Sequence, residues 1–156
     1  MKTRTIVAAA LAMLLAGALA PCFAEDANMG TWKLNEAKSK IATGAPKNHT
    51  VAYTAAGDEV KVTVDGVDAE GKPAHSEWVG KFDGQDYPVT GDPSSDTRVY
   101  KRVDAHTLEF TGKKAGKVIV TGRVVISADG KSRTVTTTGT NPKGEKVSST
   151  AVYDKQ

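Results

Sequence analysis

Turn-forming pairs punctuate this chain at short, regular intervals, and the segments between them alternate apolar and polar residues with a period of two. Gly57-Asp58, Glu70-Gly71, Asp83-Gly84, Asp129-Gly130 and Asn141-Pro142-Lys143-Gly144 mark tight reversals, because Gly takes positive φ without strain and Asp does so more cheaply than most residues. Val60, Val62 and Val64 oppose Glu59, Lys61 and Thr63; Leu108 and Phe110 oppose Thr107, Glu109 and Thr111. Val118, Val120, Val124 and Ile126 share a face with Gly122. Such alternation marks strands with one buried face. The pattern predicts strands over 29–35, 49–55, 59–65, 74–82, 86–90, 97–103, 106–112, 117–127, 132–139 and 146–155. One helical turn is expected over 35–40, stopped by Gly44 and Pro46. Short strands joined by tight turns give an all-β domain, an antiparallel up-and-down barrel or half-open sandwich of eight to ten strands.

The segment before this domain is of another kind. Lys2 and Arg4 precede an apolar run from Ile6 to Ala20, which ends in Cys22-Phe23-Ala24. A charged start, an apolar middle and a small-residue exit predict a secretory signal peptide over 1–24. Pro21 would hinder a cut after Ala20, so cleavage is expected after Ala24, leaving 25–156 as one domain in the periplasm or outside the cell. Leu19-Ala20-Pro21-Cys22 resembles a bacterial lipobox, but Pro21 stands where a small residue is usual, which argues against lipidation at Cys22. The run is shorter than the ~20 residues needed to span a bilayer, and no transmembrane segment is expected.

Export changes the charge reading. The whole chain carries 21 Lys and Arg against 18 Asp and Glu, and two of the bases, Lys2 and Arg4, lie in the signal. The domain itself is then almost neutral, so a nucleic-acid partner loses its compositional support. Acids gather in the first half of the domain and bases in the second, a split that suits attraction within one fold, or a basic face for an anion. Cys22 is the only cysteine; with the signal removed, neither a disulfide nor a thiolate site is available. A weak repeat at an offset of 73 aligns Val51, Gly57, Val62-Thr63, Gly66, Gly71 and Val79 with Val124, Gly130, Val135-Thr136, Gly139, Gly144 and Val152. It records either a duplicated three-stranded meander or the small residue set that similar hairpins share.

Both ends of the domain resemble calycins, the superfamily of lipocalin and fatty-acid-binding barrels. Gly30-Thr31-Trp32-Lys33-Leu34 is similar to their first strand, in which a Trp plugs one barrel end; the resemblance implies that role for Trp32. Ser149 to Lys155 is similar to the last strand of fatty-acid-binding proteins. The stretch Gly30 to Lys40 also resembles the start of small exported bacterial β-barrel proteins. The departures are specific. Residues 35–48 are too few for the two-helix lid of fatty-acid-binding proteins, and the Arg-x-Tyr that grips a fatty-acid carboxylate is here Ala151-Val152-Tyr153.

No catalytic constellation emerges. His49, His75 and His106 lack the close spacing of metal ligands, no Gly-x-Ser-x-Gly is present, and Asp92-Pro93-Ser94-Ser95-Asp96 reads as a turn rather than a calcium loop. The expectation is a non-enzymatic barrel, without cofactor or metal, that holds a small apolar or amphipathic ligand. The alternative is a solid-core structural or protein-interaction module of the cell envelope. For a ligand, Trp78, Phe82 and Tyr153 are the expected apolar wall, and Arg123 or Arg133 the expected partner of a polar or anionic head. Arg133 shares the parity of Val135 and Thr137, so all three point inward if Val135 does; the alternative is that these polar strands are solvated and Arg133 is exposed. Small inward residues such as Ala74, Gly122, Thr137, Ser149 and Ala151 would leave a cavity.

Overall fold

A computed structural model describes residues 26–141 and 143–156. The expected signal, its cut after Ala24 and Cys22 lie outside the described residues. Ten strands follow in order: β1 (Gly30–Leu34), β2 (Lys47–Ala56), β3 (Glu59–Val67), β4 (Pro73–Gly80), β5 (Asp83–Thr90), β6 (Thr97–Arg102), β7 (Thr107–Lys114), β8 (Lys117–Ile126), β9 (Ser132–Thr140) and β10 (Lys146–Lys155). From β2 to β10 each strand pairs antiparallel with the next, and β1 pairs with both β2 and β10. The sheet is a closed, ten-stranded, up-and-down barrel. The turn expected over 35–40 is a 3-10 turn at Glu36–Lys38, capped by Asn35, whose side chain accepts from the Lys38 N–H at 3.2 Å.

Every expected strand is present, with differences in the middle of the chain. Asp83-Gly84 is not the reversal between β4 and β5. That reversal is made by Lys81-Phe82, and Asp83-Gly84 belongs to a register shift within β5. Gly84 takes φ +82° there, and the Asp83 carboxylate accepts from the Gln85 N–H at 3.0 Å, as in a bulge that bends one strand. Phe82 therefore sits beyond the end of β4. The β4–β5 seam carries two register pairs, Glu77 with Thr90 and Trp78 with Val89. Beside it the Tyr87 ring packs onto Gly80, where an added Cβ would come within 2.4 Å of that ring.

The 73-residue repeat has a structural counterpart: it maps β2–β3–β4 onto β8–β9–β10. Val51 and Val124 both belong to the core, and Val62 and Val135 both pack in it. Gly57 and Gly130 turn with φ of +68° and +69°. The charge asymmetry is also partly absorbed within the fold, since Asp26 pairs with Arg102, Asp92 with Arg98 and Asp86 with Lys113.

The interior is divided along the barrel axis. At one end Trp32 is fully buried and its Nε1 donates to the Asn28 carbonyl at 2.9 Å. Asp26 accepts from the Asn28 backbone and side-chain amides and from Arg102, fixing the segment before β1 across this end. Beside it Trp78 stacks on Phe82 with centroids 6.1 Å apart, and meets Tyr100 edge-on at 4.8 Å and Tyr87 at 5.6 Å. Such pairs add to the burial of large apolar area. Trp32→Ala is expected to destabilise the protein by about 3–5 kcal/mol. Val118→Ala, at a position 58% exposed, is expected to stay within about 0.5 kcal/mol of wild type. Denaturant unfolding of both variants checks the contrast.

Candidate functional site

The other half of the barrel is hollow. A cavity of about 520 Å³ opens between the β3–β4, β5–β6 and β9–β10 turns and the segment leading into β2. That volume falls within the range of small-molecule sites. The space follows from short side chains at inward positions: Ala74 and Ser76 on β4, Thr137 and Gly139 on β9, Ser149 and Ala151 on β10. Val51, Val64, Val124 and Val135 give apolar wall between them. A register shift between β7 and β8, at Gly112/Lys113, brings Ile119 and Val120 together to the rim and leaves Val118 outside. Gly122 does not widen the cavity as its size suggests. The Phe110 ring lies over it, so close that a Cβ on Gly122 would stand 2.3 Å from the ring; Phe110 is the wall instead.

An arginine among aromatic rings forms the floor of this cavity. Arg133 is only 2% exposed. Its guanidinium carbon stands 4.9 Å from the ring centroids of Trp32 and Tyr153 and 5.1 Å from that of Tyr53. Its Nε and Nη1 are buried without a hydrogen-bond partner. Tyr153 pairs in register with Arg133 across the β9–β10 ladder, and its hydroxyl donates to the Asn48 carbonyl at 3.1 Å. Burial pushes the Tyr153 phenol up to about 12, against the opposing pull of Arg133. Burial pushes Tyr53 up as well, helped by Tyr100 and opposed by Arg133. Both phenols remain protonated, so they present hydroxyl dipoles rather than charges.

A second arginine lines the same cavity with a different status. Arg98 Nη2 donates to Asp92 Oδ2 at 3.0 Å. Asp92 in turn accepts from the Ser94 N–H at 2.9 Å, the Ser94 hydroxyl at 2.6 Å and the Ser95 hydroxyl at 2.5 Å. The Asp92–Asp96 segment is a turn whose carboxylate neutralises Arg98. Arg98 also supplies the carbonyl to which Trp78 Nε1 donates, at 3.0 Å.

The structure sorts the expected site residues into three places. Arg133 and Tyr153 meet at the cavity floor. Trp78 and Phe82 do not form its wall: they stack on each other in the solid half, because Trp78 pairs with Val62 and Val89 deep in the sheet and Phe82 folds back from the turn. Arg123 is a correction. It lies on the outer face of β8, where its Nη1 donates to Glu109 at 2.8 Å with both side chains about half exposed. The parity of β8 requires this, since Val124 and Ile126 point in. Sequence reasoning missed Tyr53 and Tyr100 as floor residues and the Asp92–Arg98 pair, which is six residues apart and spans a turn.

No protein-family model matches the chain, and no curated protein matches it. Among solved structures, a redesigned β-barrel, mFAP1, bound to DFHBI, is similar over 83% of this chain and 95% of that one, with 13% identity and a TM-score of 0.43. The barrel assignment rests on this chain's own strand pairing.

Asp92 offers a test of the mouth. Burial raises its proton affinity, but the bonds from Ser94, Ser95 and Arg98 outweigh that and hold it below its ordinary value of 3.8. A carboxylate lowered in the folded state stabilises fully above its unfolded value, and the stabilisation is lost as pH falls through the folded one. Asp92→Asn is therefore expected to cost about 1–3 kcal/mol at neutral pH. Its deficit against wild type should shrink below pH 3.8. Thermal melts of both proteins from neutral to strongly acid pH check this; a deficit of constant size would refute it.

Proposed function

We propose that this chain is an exported, non-catalytic, calycin-like barrel that holds a small apolar or amphipathic molecule in its hollow half. The observation that carries the reading is the open cavity of about 520 Å³, walled by valines and small residues and floored by tyrosines and one arginine. Apolar walls with a few convergent polar groups are the composition of ligand sites. The titratable groups at the floor are Arg133 and protonated tyrosines, which suit holding a ligand better than transferring a proton; the acids Asp68, Glu70 and Asp92 stand at the mouth. Export follows from the N-terminal pattern of Lys2, Arg4 and the Ile6–Ala20 run.

The rival reading, a solid-core envelope module, draws on the aromatic half around Trp32 and Trp78. Filling the hollow half separates the two. The repeat makes Ala151 the counterpart of Trp78, so Ala151→Trp places the same side chain at the equivalent position. Wild type is expected to take up the neutral dye N-phenyl-1-naphthylamine, with saturation at one dye per barrel. Ala151→Trp is expected to lose uptake while keeping a β circular-dichroism spectrum. If wild type takes up no dye, and native mass spectrometry of the freshly purified protein shows no bound molecule, the solid-core reading replaces this one.

A further inference from the structure

We infer that Arg133 is the head-group site of this cavity, and that the ligand is a monoanion: one carboxylate or sulfonate on an apolar body, inserted head first. This rests on the ligand-binding reading above and specifies the charge and orientation of the ligand.

The argument starts from an unanswered charge. A guanidinium keeps its proton and presents donors in a planar fork. Arg133 is buried, its Nε and Nη1 have no partner, and among the described residues it forms no ion pair. The faces of Trp32, Tyr53 and Tyr153 stabilise the cation, and the Tyr53 hydroxyl lies close enough to Arg133 to feel it, but Nε and Nη1 remain without an acceptor. A buried charge in that state is costly unless something pairs with it. The space in front of it is the cavity, which Arg133 itself lines.

Two further observations narrow the ligand. The other arginine in the cavity, Arg98, already has its carboxylate in Asp92, so one positive charge is left over. A second acid on the ligand would reach toward Asp68 and Glu70, which line the mouth. One negative charge fits and two do not. The fold, moreover, does not ask for arginine here. At the repeat offset the counterpart of Arg133 on β9 is Val60 on β3, which packs against the core as an ordinary apolar residue. A valine satisfies the same strand position where no ligand has to be met.

A matched pair of dyes tests this on the folded domain. 1-Anilinonaphthalene-8-sulfonate and N-phenyl-1-naphthylamine share one ring system and differ by the sulfonate. Wild type is expected to bind the sulfonate about tenfold or more tighter, the strength of a hydrogen-bonded charge contact. Arg133→Met is expected to remove that preference, so that this variant binds the two dyes with equal affinity. Arg133→Lys should keep part of the preference, having the charge without the fork. A second measurement needs no variant: sodium decanoate should displace the neutral dye from wild type at concentrations where decanol does not. Equal affinity of wild type for both dyes, or equal displacement by decanoate and decanol, overturns the anion site while the cavity reading stands. Failure of wild type to bind either dye, with no bound molecule in native mass spectrometry, overturns both.

Discussion

Closure of the sheet by β1 is the constraint on which everything else depends. Five residues, Gly30–Leu34, pair with β2 on one side and β10 on the other. Without them β2 and β10 would be free edges, and a sheet of this length would have no enclosed interior. Closure also fixes which side chains are inside, because inward and outward positions alternate on every strand. Trp32 sits at the centre of the closing strand, and its ring is at once the plug of one barrel end and one wall of the Arg133 site. The same residue thus joins the stability of the fold to the chemistry of the cavity.

Within the closed sheet, side-chain volume decides what is core and what is cavity. The two meanders related by the repeat use the same backbone scheme with different filling. By the repeat offset, Trp78 in the first meander corresponds to Ala151 in the second, and Gly80 to Tyr153. Where the first meander contributes Trp78, an aromatic cluster forms with Phe82, Tyr87 and Tyr100 from the segments that follow it. Where the second contributes Ala151 and Ser149, space remains. A packed core and an open cavity therefore each occupy one half of the molecule.

The strands were legible because alternation and turn chemistry agreed along most of the chain. The exceptions have local causes. Asp83-Gly84 carries the residues of a hairpin turn, yet a bulge uses the same positive φ, and no short-range signal separates the two. Parity placed Arg133, Val135 and Thr137 on one face and, read consistently, puts Arg123 outside beside Glu109, but it left open whether the polar face of β9 pointed in or out; closure of the barrel turns it inward and buries Arg133. What parity cannot give is depth along the axis. Trp78 and Tyr153 both point inward, but only their positions relative to the barrel ends decide that one is packed and the other lines a cavity. Nor could the sequence show that three rings from β1, β2 and β10 converge on a single guanidinium.

The β4–β5 seam gives the barrel a direction of give. Nearly every other neighbouring pair is laced along most of its length, but here two register pairs carry the ladder, and the Tyr87 ring resting on Gly80 fills the remaining gap. Side-chain packing in place of backbone bonds means that this line can part without unravelling the strands on either side. Gly91, just past the end of β5, lies against the His75 carbonyl of β4, at the rim of the cavity. Amide protons along this line should therefore exchange with solvent ahead of those in the β2–β3 and β9–β10 ladders, and the cylinder would breathe as a sheet with one loosely stitched hem.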